Sequence, residues 1–351
     1  MAAALLLAIS ALSATHHWLD VEPNEVPRAR AGAMAAYDVV GDRWVVFGGI
    51  TLLGVAADSW SYTDASWQRL DTLGPTARTY GGLIYDDDQE ALLLFGGADG
   101  SGDISATLFG DTWSLHDDTW EIQSTSGPSA RELFAFAYDS HRHQAVLFGG
   151  LDDQGPSAET WLWLDGVWQW VDASGPSART GAAMTFDAVR GELVLFGGHL
   201  GALYYDDTWL FDGATWRPAA PSERPTARAM HAFFYDSHRE RALLVGGVSN
   251  YYTGTVELHR DLADTWEWDG SDWRALDVDG KLPARRLAAT GYDSGRRRGL
   301  LFGGLTGNEL RADTWELASE RSHLSCAQVA NPTAAIFVCV GWVFWFKRRH
   351  Q

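Results

Sequence analysis

Length, composition and charge set the first limits on this chain. Its 351 residues suffice for one large all-β domain or two ordinary domains, and a hydrophobic content of 46% allows a substantial core. A formal net charge of −19 argues against a nucleic-acid partner, because phosphate binding needs a basic surface. The 18 tryptophans and 37 glycines favour many short strands joined by tight turns. Cys326 and Cys339 are the only cysteines and lie in the C-terminal tail, which leaves the main domain without disulfide or thiolate chemistry.

The N-terminal segment is predicted to be a targeting sequence. "AAALLLAISAL" is an apolar run followed by Ser13 and Ala14 as a cleavage site, so residues 1–14 are interpreted as a secretory signal peptide. No Lys or Arg precedes the run. The alternative is a buried first strand or a wrongly assigned start.

A repeat of six copies follows. Gly-Gly pairs begin at 48, 96, 149, 197, 246 and 303. An aromatic residue followed by Asp stands 11 residues before each pair: Tyr37, Tyr85, Tyr138, Phe186, Tyr235 and Tyr292. An arginine stands seven residues earlier still: Arg30, Arg78, Arg131, Arg179, Arg228 and Arg285. After each pair comes an acidic-Ser/Thr-Trp triplet, ending at Trp60, Trp113, Trp161, Trp209, Trp266 and Trp315. Invariant offsets of this kind indicate a repeat architecture.

Each copy reads as four antiparallel strands. The first, as in "RAGAMAAY", is rich in small residues, which suit a strand crowded near an axis, and the second is apolar, as in "AVLFGG". The third and fourth form a hairpin, and Asp-Gly at 165–166 and 212–213 predicts type I′ turns. Six such copies without intervening helices predict an all-β fold, a six-bladed β-propeller with four antiparallel strands per blade.

The sixth copy lacks one residue that the other five share. A second tryptophan follows the first by seven residues at Trp67, Trp120, Trp168, Trp216 and Trp273, whereas position 322 is Ser322. The second tryptophan precedes the next arginine by 11 or 12 residues, and Trp18 precedes Arg30 by 12. The strand around Trp18 is therefore predicted to complete blade six, which removes an exposed sheet edge. The alternative is that Trp18 packs on a loop.

The Gly-Gly, Trp and Trp pattern resembles the kelch-repeat family over residues 16–318. Its acidic-Thr-Trp form resembles the bacterial secreted branch of that family. The C-terminal tail is similar to myxobacterial sorting tails, in which a cysteine, here Cys326, precedes a short apolar helix and a basic end. A plain membrane anchor is the alternative.

The tail itself carries a marginal membrane span. "AAIFVCVGWVFWF" covers residues 334–346, and a helix of that length spans about 20 Å of a hydrocarbon core of about 30 Å. The basic residues behind it predict a cytoplasmic end, with the propeller outside. The predicted organisation is a signal peptide (1–14), propeller (15–318), linker (319–333) and hydrophobic anchor with a basic end (334–351).

Two insertions and the repeated arginines are the candidates for ligand binding. Residues 98–110 and 248–263 are predicted loops between strands two and three of blades two and five, which lie opposite each other and flank one channel mouth. The candidate binding residues are the six arginines with Tyr204, Tyr205, Tyr251, Tyr252, His259 and Arg260. The arginines could instead pair with the triplet acids as scaffold. The resemblance implies that some could face an acidic ligand, as in certain kelch proteins.

These observations predict a binding module for a protein or glycan, held outside the cytoplasm by a membrane tether, with no cofactor and no metal. The resemblance also implies an alternative, a sugar-processing enzyme of the sialic acid epimerase type. Such an enzyme would use arginine for a sugar carboxylate and His199, His231 or His259 as acid-base group. Kelch-like copper oxidases need a cysteine crosslinked to tyrosine, and the blades contain no cysteine.

Overall fold

Five sheets of four consecutive antiparallel strands repeat along the chain. The sixth sheet joins strands from both ends of the described chain and includes the short strand Val278–Asp279, which pairs parallel with Thr15–Val21. All six sheets pack side by side through their first strands. The computed structural model describes residues 15–100, 106–253 and 256–320, and these ranges contain only strands, turns and connections. The predicted signal peptide, most of the predicted linker and the C-terminal anchor lie outside them. No helix long and apolar enough to cross a membrane occurs in the described ranges.

The two inner strands of each blade carry most of the core. The first strands contact one another in an unbroken cycle in which blade six meets blade one. Their bounds are Met34–Asp38, Gly82–Asp86, Ala135–Asp139, Ala183–Asp187, Ala232–Asp236 and Ala289–Asp293. The second strands are apolar on both faces because each is covered by two neighbouring blades. They are Arg43–Phe47, Ala91–Phe95, Gln144–Phe148, Glu192–Phe196, Arg241–Thr253 and Arg298–Phe302.

The two outer strands form the predicted hairpins. The third strands are Ser59–Thr63, Thr112–His116, Thr160–Leu164, Thr208–Phe211, Val256–Trp268 and Thr314–Glu320. The fourth strands of blades one to five are Ser66–Leu70, Thr119–Ser124, Val167–Val171, Trp216–Pro218 and Trp273–Leu276. The last strand ends at Glu320, two residues beyond the predicted domain boundary.

The fourth strand of blade six comes from the other end of the chain, as predicted. Thr15–Val21 pairs antiparallel with Thr314–Glu320 and places Trp18 opposite Leu317. Trp18 is 4% exposed, and its indole N–H donates to the Thr265 hydroxyl at 3.3 Å. Trp18 therefore lies inside a sheet, and the alternative that it packs on a loop is wrong.

The second tryptophan of every blade forms a hydrogen bond to the preceding blade. Each indole N–H donates at 2.8–3.3 Å to the hydroxyl of the Ser or Thr that precedes a first tryptophan. The pairs are Trp18–Thr265, Trp67–Thr314, Trp120–Ser59, Trp168–Thr112, Trp216–Thr160 and Trp273–Thr208. A buried indole N–H usually has an acceptor, and these contacts account for the hydroxyl residue in the middle of each acidic-Ser/Thr-Trp triplet.

The predicted type I′ turn is confirmed at one of its two sites. Asp165 and Gly166 have φ of 52° and 76°, as that turn requires. At the second site only Gly213 has positive φ, and Phe211 pairs with Trp216 across a four-residue loop. The side chain of Asp212 accepts the backbone N–H groups of Ala214 and Thr215, so the prediction of a type I′ turn is wrong there.

The first testable prediction concerns closure. Replacing Trp18 with Ala should lower the free energy of unfolding by about 3–5 kcal/mol, since it removes a large aromatic side chain from a core. Urea denaturation of Trp18→Ala measures this. Leu19→Ala is the matched control, because Leu19 lies on the same strand with its side chain exposed. Similar losses in the two variants would contradict the closure.

Candidate functional site

One face of the propeller carries the connections between strands two and three, and we call it the hairpin face. In four blades these connections fold into short β-hairpins. They are Ile50–Thr51 with Gly54–Val55, Leu151–Asp152 with Gly155–Pro156, His199–Leu200 with Leu203–Tyr204, and Leu305–Thr306 with Glu309–Leu310.

Blade five differs from this pattern and from the sequence prediction. The segment 248–263, predicted as a loop, continues strands two and three with regular pairing up to Thr253 opposite Val256. It is therefore a tall β-hairpin rather than an irregular loop. In blade two, the structure describes the predicted insertion except for residues 101–105. In its described part, Ala98 forms antiparallel β-bridges with both Thr79 and Leu108.

The Gly-Gly pairs lie at the junction between neighbouring blades. All twelve glycines have positive φ, from 61° to 71° at the first position and 92° to 100° at the second. A Cβ on any first glycine would lie 2.3–2.9 Å from the carbonyl oxygen of the next blade's arginine, too close for a side chain. The N–H of each second glycine donates to that same carbonyl at 2.8–3.0 Å. Glycine is required here for both conformation and space.

The six arginines are part of this junction. Each is 0–2% exposed and donates to the carbonyl of its own blade's first glycine at 2.8–3.1 Å. Each also forms an ion pair of 2.6–2.7 Å with the triplet acid of its blade. The pairs are Arg30–Asp58, Arg78–Asp111, Arg131–Glu159, Arg179–Asp207, Arg228–Asp264 and Arg285–Asp313.

The electrostatics of the pairs agree with this geometry. Burial alone would raise the pKa of the acids, but the hydrogen bonds and charge of the arginine outweigh it. The pKa is held below its ordinary value in Asp58, Asp111, Glu159, Asp264 and Asp313. These five acids stay ionised, and all six guanidinium groups are held by an acid, which supports the scaffold interpretation of the arginines over their role as ligand contacts.

A second testable prediction follows for this scaffold. Arg179→Met should lower the free energy of unfolding by about 1–3 kcal/mol, because the variant removes the guanidinium group that binds the partly exposed acid Asp207 and the buried carbonyl of Gly197. Arg224→Met is the control, since Arg224 forms an exposed pair of 3.7 Å with Asp206 and such pairs contribute about 0–1 kcal/mol. Chemical denaturation compares the two. An Arg179→Met protein of unchanged stability would show that the pair is not structural.

A closed ring of backbone hydrogen bonds surrounds the mouth of the channel. The residue two positions after each arginine donates its N–H at 2.7–2.9 Å to the carbonyl of its counterpart in the preceding blade. The six residues are Gly32, Tyr80, Leu133, Gly181, Met230 and Leu287, and all have φ between 54° and 65°. They line a cavity of about 170 Å³ at the mouth. A channel of about 450 Å³, walled by the first strands, continues below.

Two of the predicted binding residues, Tyr204 and His259, meet between blades four and five beside His199, an acid-base candidate of the enzyme alternative. The His199 and Tyr204 rings are stacked, with centroids 5.1 Å apart, and the His259 ring lies 6.3 Å from Tyr204. The side chain of Asn250 donates to the carbonyl of Ala202 at 2.7 Å, so the tall hairpin rests on the short one. This polar and aromatic cluster stands at the edge of the hairpin face.

The other predicted residues have different places. The guanidinium of Arg179 lies over the Tyr205 ring at 4.1 Å, which makes Tyr205 part of the scaffold. Tyr251 and Tyr252 belong to the tall hairpin by backbone pairing, but their side chains lie outside the described part of the structure. Arg260 is exposed on the opposite strand of that hairpin.

His231 lies inside the channel wall rather than on the hairpin face. Burial, followed by the charge of Arg228, lowers its pKa to about 3, and its ring packs between Phe196 and Phe233. A histidine that stays neutral does not serve as a proton donor near pH 7. His231 is therefore a poor candidate for the acid-base group of the enzyme alternative, whereas His199 and His259 lie on the hairpin face.

Exposed leucines at the hairpin tips were missed by the sequence analysis. Leu52 and Leu53 in blade one are 89% and 77% exposed, and Leu200 and Leu203 in blade four are 40% and 57% exposed. Leu258 on the tall hairpin is exposed as well. Adjacent apolar residues just after a Gly-Gly pair, as in "GGITLLG", were a signal that could have identified them.

Glu132 was missed for a different reason. It is 4% exposed, and within the described residues its Oε2 atom has no hydrogen-bond partner. Burial raises its pKa from the ordinary 4.5 to about 7. It follows Arg131 at a position where the other blades carry different residues, so the repeat pattern gives no sign of its role.

The fold and the motif define a kelch-repeat propeller. The KLHDC2/KLHL20/DRC7 Kelch-repeats domain model matches residues 88–304, so the chain belongs to the kelch-repeat family, as the sequence resemblance predicted. A solved structure titled "Structure of YjhT" covers 85% of this chain and 99% of its own, with a TM-score of 0.67 and 16% identity. That likeness supports the fold alone. No curated protein matches the chain.

Proposed function

We propose that the propeller is a binding module that holds a protein partner on its hairpin face. The observation that carries this proposal is the set of exposed leucines at the hairpin tips of blades one and four. Clustered apolar side chains exposed on one face of a soluble domain are typical of protein interfaces. A glycan would be met by aromatic and polar groups instead of leucines, so we favour a protein.

The layout of the face supports the same proposal. Blades one and four lie opposite each other in a ring of six, so their leucine tips stand on two sides of the channel mouth. The His199–Tyr204–His259 cluster adds polar aromatic rings next to the blade-four tip. Tyrosine with an apolar body and a polar end is enriched among residues that dominate binding energy.

Paired substitutions on the two faces test this proposal. The hairpin-face variant is Leu200→Ser with Leu203→Ser, and the control is Val39→Ser with Val40→Ser. The two valines are comparably exposed, at 53% and 60%, in a turn at the opposite face. We call the amount of partner that quantitative crosslinking recovers from the native cells partner retention. It should fall at least about tenfold in the hairpin-face variant, which corresponds to a loss of about 1.4 kcal/mol of binding free energy. Retention should be unchanged in the control.

Two results would contradict the proposal. Equal retention by both variants would remove the leucines from the interface. Loss in the control alone would place the interface on the opposite face. Both variants should keep the wild-type melting temperature, because all four side chains are exposed.

We further infer that the propeller works outside the cytoplasm on a membrane tether. Support comes from the apolar run within residues 1–14 and from the apolar and basic segment at 334–351. In a Gram-negative host, the full chain should lose residues 1–14 and fractionate with membranes, whereas a chain ending at Ser325 should be released. Protease added to spheroplasts should cleave the propeller. A full-length cytosolic product would contradict this inference.

A further inference from the structure

The residues that directly follow the six arginines form a ring, next in the chain to the residues that line the channel mouth. Its members are Ala31, Thr79, Glu132, Thr180, Ala229 and Arg286. The Thr79 hydroxyl donates to the carbonyl of Gly32 at 3.0 Å, and the Thr180 hydroxyl lies 3.0 Å from Nε2 of His199. Arg286 forms an ion pair with Asp261. Among the described residues of this ring, Glu132 differs from the others, because its buried Oε2 atom has no hydrogen-bond partner.

The surroundings of Glu132 do not supply a counter-ion. Its neighbour Arg131 is committed to Glu159 at 2.6 Å and lies 3.8 Å from Asp152. Burial is the cause of the raised pKa of Glu132, and no nearby cation offsets it. Buried carboxyl groups without partners are rare in native proteins because desolvation of the charge is costly. A ligand group that binds from solution would supply the hydrogen-bond partner that the carboxyl group of Glu132 lacks.

Glu132 also lies beside the cavity at the mouth. The next two residues, Leu133 and Phe134, line that cavity, and so does Tyr80. The N–H of Leu133 donates to the carbonyl of Tyr80 at 2.9 Å. Burial raises the pKa of the Tyr80 hydroxyl to about 12, and the negative charge of Glu132 adds to the rise. The charge of Glu132 therefore acts on a residue that lines the cavity a ligand group would enter.

We propose that Glu132 is the recognition group for one cationic group, a guanidinium or primary ammonium, of a ligand that enters the channel mouth from the hairpin face. A carboxylate accepts charge-assisted hydrogen bonds from such groups, which are about twice as strong as neutral ones. The net charge of −19 attracts cations over long range. The aromatic ring of Phe134 in the cavity wall suits the flat guanidinium or an aliphatic stem. That the cation belongs to a basic side chain of a protein rests on the proposed function.

The experiment uses small probes and needs no partner. The carboxyl carbons of glutamate are labelled with ¹³C in the full chain, and the signal of Glu132, assigned with Glu132→Gln, is followed by NMR against pH. Saturating n-butylguanidinium should lower the pKa of Glu132 from about 7. Because the probe binds the ionised form, its affinity should be roughly tenfold higher at pH 7.5 than at pH 6. N-butylurea, the neutral isostere, should cause no shift.

Variants complete the test. Glu132→Gln should lose the probe, whereas Glu309→Gln, which changes an exposed carboxylate on the same face, should bind it normally. Folding favours the protonated form of Glu132, so the wild type loses stability as pH rises from 4.5 to about 7. Glu132→Gln should thus melt higher than the wild type at pH 8, with a smaller difference at pH 5.

The proposal is overturned if n-butylguanidinium leaves the pKa of Glu132 unchanged, if N-butylurea acts equally, or if Glu132→Gln binds the probe as the wild type does. These outcomes are separate from the leucine-tip test. Loss of the probe effect would leave partner retention by the hairpin face unaffected. A failed partner test would leave the cation site intact.

Discussion

Each arginine of the repeat connects two blades at once. Its guanidinium group donates to the triplet acid and to the carbonyl of the first glycine of its own blade. Its backbone carbonyl accepts a hydrogen bond from the N–H of the second glycine of the preceding blade. The bond between Gly304 and the carbonyl of Arg30 continues this pattern from blade six to blade one. The buried guanidinium group fixes each arginine within its own blade, and the carbonyl of the same residue joins that blade to the one before it. The register of all six blades depends on this junction.

The ring of blades is closed both at the channel mouth and within blade six. The backbone ring at the mouth is cyclic, with Gly32 donating to Leu287 across the first and last blades. Within blade six, the strand Thr15–Val21 pairs with Thr314–Glu320 and so joins the two ends of the propeller in one sheet. The result is a platform of repeated inner strands, on which the hairpins and the residues after the arginines differ from blade to blade. Leucine tips, a tall hairpin and one unpartnered carboxyl group are placed on that platform, which is where recognition usually concentrates.

Repetition determined how much the sequence could predict. Six copies of Arg, Gly-Gly and two tryptophans identified the blades, their strands and the closing role of Trp18, because packing between identical neighbours imposes identical residues. The same repetition could not decide whether the arginines bind a ligand, since a buried ion pair and a ligand contact use the same residue type. Residues that occur once, such as Glu132 and Leu203, carry no periodic signal. The sequence predicts a loop at 248–263 because the length of this segment departs from the repeat, whereas the structure has a tall β-hairpin there. Asp-Gly at 212–213 favours a type I′ turn, but the Asp212 side chain accepts backbone N–H groups of a longer turn instead.

Native-state hydrogen exchange of the six ring amides tests the closed, rigid ring most directly. The amides belong to Gly32, Tyr80, Leu133, Gly181, Met230 and Leu287. If the ring is closed, all six should exchange only through global unfolding and share one free energy of opening, equal to that from denaturant unfolding. Faster exchange at Gly32 and Leu287 than at the other four would show that blades six and one separate locally, and it would contradict the account.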